Sequence, residues 1–133
     1  MNWKIERETG ADLDMEAVLG VYRSSGLGER RPIADVARMA TMVRSANLIV
    51  TCRIEGELVG IARSVSDFSY VTYLSDIAVA RSHQRSGIGK ALIEATRNEA
   101  PMAKIVLLSA PAASDYYPHI GFTRHDSAWV LNP

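Results

Sequence analysis

The sequence predicts an α+β domain in which one mixed, mostly antiparallel sheet carries helices. Two observations lead there. The hydrophobic pattern runs β, α, α, three strands joined by tight turns, α, β, a short α and a closing β. Within it, residues 76–97 pass from an apolar strand through a polar loop with two glycines into an amphipathic helix, a junction typical of sheets with helices packed on them.

Each element has its own reason. Residues 3–8 alternate weakly and predict a first strand. Asp12 or Asp14 can cap a helix that runs to about Ser24, with Leu13, Ala17, Val18 and Val21 on one face. Residues 24–32 contain two glycines and a proline and read as a loop. A second helix is expected from Pro32 to Arg44, opened by that proline, with Val36, Met39, Ala40 and Val43 inward. These helices either cover one sheet face or also wall an acceptor site.

Leu48–Ile54, the turn Glu55-Gly56 and Leu58–Val65 form a predicted hairpin. After a turn at 66–69, Tyr70–Val79 pairs back as the next strand. The third helix opens near Gly87, carries Ile88, Ala91, Leu92 and Ala95 at helical spacing, and stops at Pro101. Lys104–Leu108 has four consecutive apolar residues, the pattern of a buried strand. A short helix at 114–119 and a closing strand or hairpin from Gly121 to Val130 complete the chain.

Composition narrows the function classes. A chain of 133 residues, 47% hydrophobic, suits one domain with a real core. Fifteen basic and fifteen acidic residues cancel, which gives no electrostatic reason to expect a nucleic-acid partner. Cys52 is the single cysteine, so neither an internal disulfide nor a cysteine metal site is possible. It lies in an apolar run and is expected in the core rather than as a nucleophile. Three scattered histidines make no metal set. No run of about 18 apolar residues exists to span a membrane, and the N-terminus has no apolar signal region. A cytoplasmic protein is the expectation.

The chemistry concentrates at the glycine loop. A loop entering a helix offers unpaired N–H groups and the positive end of the helix dipole, a site for phosphate or pyrophosphate. Gly87 and Gly89 let a ligand approach the backbone, and Arg81, Arg85 and Lys90 add positive charge. A Walker loop does not fit, because position 84 is Gln and position 91 is Ala. A dinucleotide fingerprint does not fit, because position 92 is Leu and no acidic ribose ligand stands out.

What remains, Gln84-Arg85-Ser86-Gly87-Ile88-Gly89, resembles the Gln/Arg-x-x-Gly-x-Gly/Ala motif of the GNAT acetyltransferases. A second stretch, Ala113-Ser114-Asp115-Tyr116-Tyr117-Pro118-His119-Ile120-Gly121-Phe122, resembles that family's C-terminal pattern at the usual separation. Gly56-Glu57-Leu58-Val59-Gly60 resembles a hairpin entry common in small members.

The resemblance implies a single GNAT domain over 1–133, in which parallel strands 4 and 5 splay apart and admit the pantetheine arm of acetyl-coenzyme A. Gln84, Arg85, Ser86, Gly87, Ile88, Gly89 and Lys90 would then hold the cosubstrate's pyrophosphate, and Ile77, Ala78 and Val79 would line the arm. No metal is implied. Tyr117 matches the tyrosine that protonates the departing thiolate in many members, and Tyr116 beside it reads as core. A base must also be found for the amine. Asp76, three residues before Val79, is the candidate, ahead of Asp67. The chain departs from the pattern at Ser109-Ala110-Pro111-Ala112, which lacks the family's asparagine, and at Pro118.

The expected activity is acetyl transfer from acetyl-coenzyme A to a primary amine, on a small molecule or a protein, by direct attack in a ternary complex. A catalytically silent coenzyme A-binding sensor is the alternative. A homodimer is a reasonable expectation for a small member.

Overall fold

The computed structural model describes residues 2–133. Five strands form one sheet in the order β1 (Trp3–Glu8), β2 (Leu48–Ile54), β3 (Glu57–Ser66), β4 (Val71–Val79) and β5 (Lys104–Val106). The first four are antiparallel neighbours, and β4 pairs β5 in parallel. The helices are α1 (Met15–Ser25), α2 (Val36–Ser45), α3 (Ile88–Glu99) and α4 (Tyr116–His119).

Strand alternation decides which helix packs where. Ile49 and Ile61 face one side of the sheet and meet Val18, Val21 and Tyr22 of α1 with Met39 and Val43 of α2. Leu48, Val50 and Cys52 face the other side and meet Ile88, Leu92 and Ile93 of α3. Helices α1 and α2 thus bury their apolar stripes on one face, and α3 buries its stripe on the other. Cys52 is fully buried in the second cluster, and burial pushes its thiol up, as expected of a core cysteine.

The helix caps explain the boundaries. Asp14 accepts from the Glu16 N–H at 3.2 Å and opens α1. Leu13 sits one residue before that cap and shares its cluster with Val18, as in a hydrophobic staple. Gly26, at φ +90°, ends α1 in the left-handed conformation. Three predicted elements are corrected. Helix α2 begins at Val36, because Arg31–Ala34 form a turn and Asp35, not Pro32, supplies the cap to the Arg38 N–H. Val36 in that first turn is half exposed, so it leaves the inner stripe. Strand β5 stops at Val106, and Val106 and Leu108 are partly exposed because no strand covers that outer edge among the described residues. The closing strand expected at 121–130 does not form, and the segment lies on the surface with Trp129 almost wholly exposed.

Two glycines should respond oppositely to alanine. A Cβ at Gly10 would lie 2.1 Å from the Val43 carbonyl oxygen, so the backbone must move. Gly10→Ala should lower the unfolding free energy by roughly 1–3 kcal/mol. Gly20 is inside α1 with nothing within 4 Å of an added Cβ, and Gly20→Ala should raise it by about 0.5–1 kcal/mol. Urea denaturation of both variants checks the pair.

Candidate functional site

The site begins with an irregularity in β4. Arg63 pairs Asp76 while the next residue, Ser64, pairs Leu74, so Ser75 is an extra residue in β4. Such a bulge shifts the alternation of the strand and re-aims its side chains. Leu74 packs on the α3 side, yet Asp76, two residues on, points to the α1 side.

There Asp76 is buried and fully engaged. One oxygen accepts from the Arg31 Nε at 2.6 Å. The other accepts from the Arg63 Nε and from the Tyr22 hydroxyl, each at 2.6 Å. Burial alone would push the Asp76 carboxyl up, but the Arg63 bond and charge, with the Tyr22 and Arg31 bonds, hold it below the usual carboxylate range. Burial, and then the Asp76 charge, push the Tyr22 phenol far up, so it stays protonated. A depressed carboxylate with both oxygens occupied is a poor acceptor for an amine proton, which weighs against the expected base role of Asp76. It is an anchor. Arg31 also donates to the Ser75 carbonyl at 2.8 Å, which ties the turn after α1 to the bulge. Asp67 is spent on the next turn, accepting from the N–H groups of Ser69, Tyr70 and Val71.

The second feature is a slot. Parallel pairing of β4 with β5 covers only Val71 to Tyr73 against Lys104 to Val106. Beyond it the strands diverge. The β4 edge at Ile77, Ala78 and Val79 faces Leu107, Ala110 and Pro111 across a cavity of about 930 Å³. That edge has lost its ladder partner, so the N–H groups of Ile77 and Val79, which alternate with the β3-facing Ala78, point toward the cavity.

The glycine loop closes one end. Arg85 and Gly87 take positive φ, +63° and +91°, and Gly87 caps α3 without a side-chain bond. Among the described residues no backbone carbonyl accepts from the N–H groups of Arg85 to Lys90, so they form a turn of free donors at a helix start. Gln84 braces the turn by donating to the Val79 carbonyl at 2.9 Å. Gln84, Arg85, Gly87, Ile88, Gly89 and Lys90 line the cavity. Ser86 does not, because its hydroxyl turns back to the His83 carbonyl.

Tyr117 lines the same cavity from α4, half-buried and edge-on to Phe122 at 5.4 Å between ring centres. Burial, and then the neighbouring Tyr116, push its phenol up. Tyr116 is not core. It is 40% exposed, and its hydroxyl is 3.5 Å from where a Cβ on Gly89 would stand, so it hangs over the loop. Sequence reasoning also missed Tyr22, Arg31 and Arg63. Tyr22 stands three and four residues from Leu19 and Val18, at helical spacing, and that was its only signal.

A family model described as an acetyltransferase (GNAT) domain matches residues 18–132. Among solved structures, a probable acetyltransferase from methicillin-resistant Staphylococcus aureus aligns at TM-score 0.79 and 18% identity, covering 98% of each chain. A GNAT-family protein of Streptococcus pneumoniae aligns at 0.77 and 19%, covering 98% of this chain and 99% of its own. An aminoglycoside N-acetyltransferase in complex with CoA aligns at 0.73 and 16%, covering 98% and 94%. At these identities the structures establish a shared fold.

The Asp76 anchor gives an acid-stability prediction. Its folded pKa lies below the unfolded value of about 3.9, so the unfolded chain binds more protons in that range. The anchor's contribution is therefore complete above about pH 5 and is lost as pH falls through the unfolded and then the folded pKa. Asp76→Asn, which leaves buried guanidiniums unpaired, should cost about 3–5 kcal/mol at pH 7. Urea denaturation at pH 7, 5 and 3 should show the gap between wild type and variant closing toward pH 3.

Proposed function

The chain belongs to the GNAT acetyltransferase family, and on that premise we propose that it transfers the acetyl group of acetyl-coenzyme A to a primary amine by direct attack in a ternary complex. The observation that carries this reading is the opened β4 edge running into a glycine turn of free N–H donors. A pyrophosphate fits that turn, with Arg85 and Lys90 beside it and no Cβ at Gly87 or Gly89 to obstruct it. A pantetheine arm is amide-bearing and extended, and it fits a strand edge that has lost its partner, as an added strand would. Acetyl-coenzyme A supplies an activated thioester.

The chain's own groups do the rest. N–H donors on the free edge of β4 face the channel where negative charge develops on the thioester oxygen. Tyr117 donates a proton to the departing sulfur. A thiol has a pKa of about 8.5 and an ordinary phenol about 10, and Tyr117 is raised further by burial, so its proton is in place at neutral pH. Asp76 holds Arg31 and Arg63 and keeps the acceptor-side turn on the sheet. It takes no part in proton transfer. Cys52, buried away from the cavity, is no covalent nucleophile.

Thiol release from acetyl-coenzyme A, followed across a panel of amines, tests the reading. Tyr117→Phe should reduce kcat by about 10²-fold or more and leave acetyl-coenzyme A affinity within about twofold. Unchanged turnover would remove the acid role. Gly89→Val, which brings a branched side chain toward the Tyr116 hydroxyl, should instead weaken acetyl-coenzyme A binding, measured by calorimetry.

A further inference from the structure

The cavity has two ends with different chemistry. The glycine turn closes one. Toward Leu74 and Ser75, which lie about 13–17 Å back along β4 from Val79, the wall comes from the turn after α1, with Leu27, Arg30 and Arg31. No Asp or Glu lines the cavity among the described residues. Asp76 stands behind this wall at 1% exposure, with both oxygens given to Arg31, Arg63 and Tyr22. At this end Arg30 and Arg31 line the cavity, while the buried Arg63 shares the single carboxylate, Asp76, behind the wall. Arg30 makes no ion pair among the described residues, and its acidic neighbour Glu29 is outside the lining.

The donors are also unspent. A guanidinium has five N–H groups. Arg31 uses one on Asp76, one on the Arg30 carbonyl and one on the Ser75 carbonyl, which leaves two. Arg30, exposed on the rim, donates none to another protein group among the described residues.

From this wall we propose that the acceptor is a small amine that also carries an anionic oxygen group, a carboxylate or a phosphate, held by Arg30 and the free donors of Arg31. The proposal rests on the acetyltransferase reading and names the acceptor class for it. Charge-assisted bonds from guanidinium to an oxyanion are strong and directional, so the anion fixes the molecule and leaves its amine to reach toward the thioester. The same positive wall disfavours the ammonium form of that amine. The neutral nucleophile becomes easier to reach, in a site whose buried carboxylate is not free to act as a base. Polyamines and aminoglycosides bring several positive charges to this wall and find no carboxylate in the lining, so this site rejects them although solved structures of the same fold include aminoglycoside acetyltransferases.

The test is thiol release from acetyl-coenzyme A with four acceptor sets: amino acids, aminoalkyl phosphates, polyamines and an aminoglycoside. Turnover should be confined to one or both of the first two, which also separates carboxylate from phosphate. For the best acceptor, Arg30→Glu should lower kcat/KM by about tenfold or more and weaken its calorimetric binding to the coenzyme A-loaded protein, with coenzyme A affinity unchanged. Arg30→Lys should restore most of the loss. Turnover confined to polyamines or the aminoglycoside, or an Arg30→Glu variant that binds and turns over as wild type, overturns this proposal and leaves the acetyltransferase reading standing. Absence of acetyl-coenzyme A binding, or of thiol release with every amine, overturns both.

Discussion

A buried carboxylate between two guanidiniums holds the sheet and the helical wall together. Asp76 lies in the middle strand of the site, and its three partners come from three different places in the chain: Tyr22 on α1, Arg31 on the following turn and Arg63 on the neighbouring strand. Removing two or three charges from water costs several kcal/mol per ion, and only near-ideal geometry returns it. Here each contact is 2.6 Å, and other guanidinium donors reach the Ser75 and Met42 carbonyls and the Ser75 hydroxyl. Such a cluster adds little net stability over an apolar one. It does penalise any arrangement in which the turn after α1 leaves the sheet, because a charge would then be stranded.

That constraint keeps one side of the cavity in place while the other side stays open. Beyond Tyr73 and Val106 the sheet gives up its ladder bonds, and the free β4 edge is tolerable because it faces an accessible slot rather than a dry core. The glycine turn adds a second set of free donors at the end of the same slot. Unpaired backbone N–H groups side by side are donors that an extended, polar, anionic group can satisfy. The packed clusters on the two sheet faces supply the rigidity that holds these groups in place without one.

The alternating and helical hydrophobic patterns depend only on residues close in sequence, and they placed β1 to β4, α1 and α3 to within a residue or two. They failed where long-range partners decide. Lys104–Leu108 is apolar enough for a buried strand, but a strand needs neighbours, and only three residues pair. The segment 121–130, expected to close the sheet, finds no edge to join. Pro32 looked like a helix start, yet Asp35 holds the cap because the chain must first turn to bring Arg31 onto Asp76.

The sequence by itself determined the order of elements, the glycine turn and the position of Tyr117. These follow from local spacing and from residue types that tolerate a particular backbone. Only the tertiary structure decided what Asp76 does. One inserted residue, Ser75, turns that side chain from the α3 face to the α1 face, and a bulge is a property of two paired strands, invisible in either alone. The pair of arginines on the cavity wall was hidden for the same reason. Arg30 and Arg31 line one wall, with Arg63 buried behind it, only when the turn after α1 folds over the bulge, so a chain with no net charge still presents a cavity that no acidic side chain lines among the described residues.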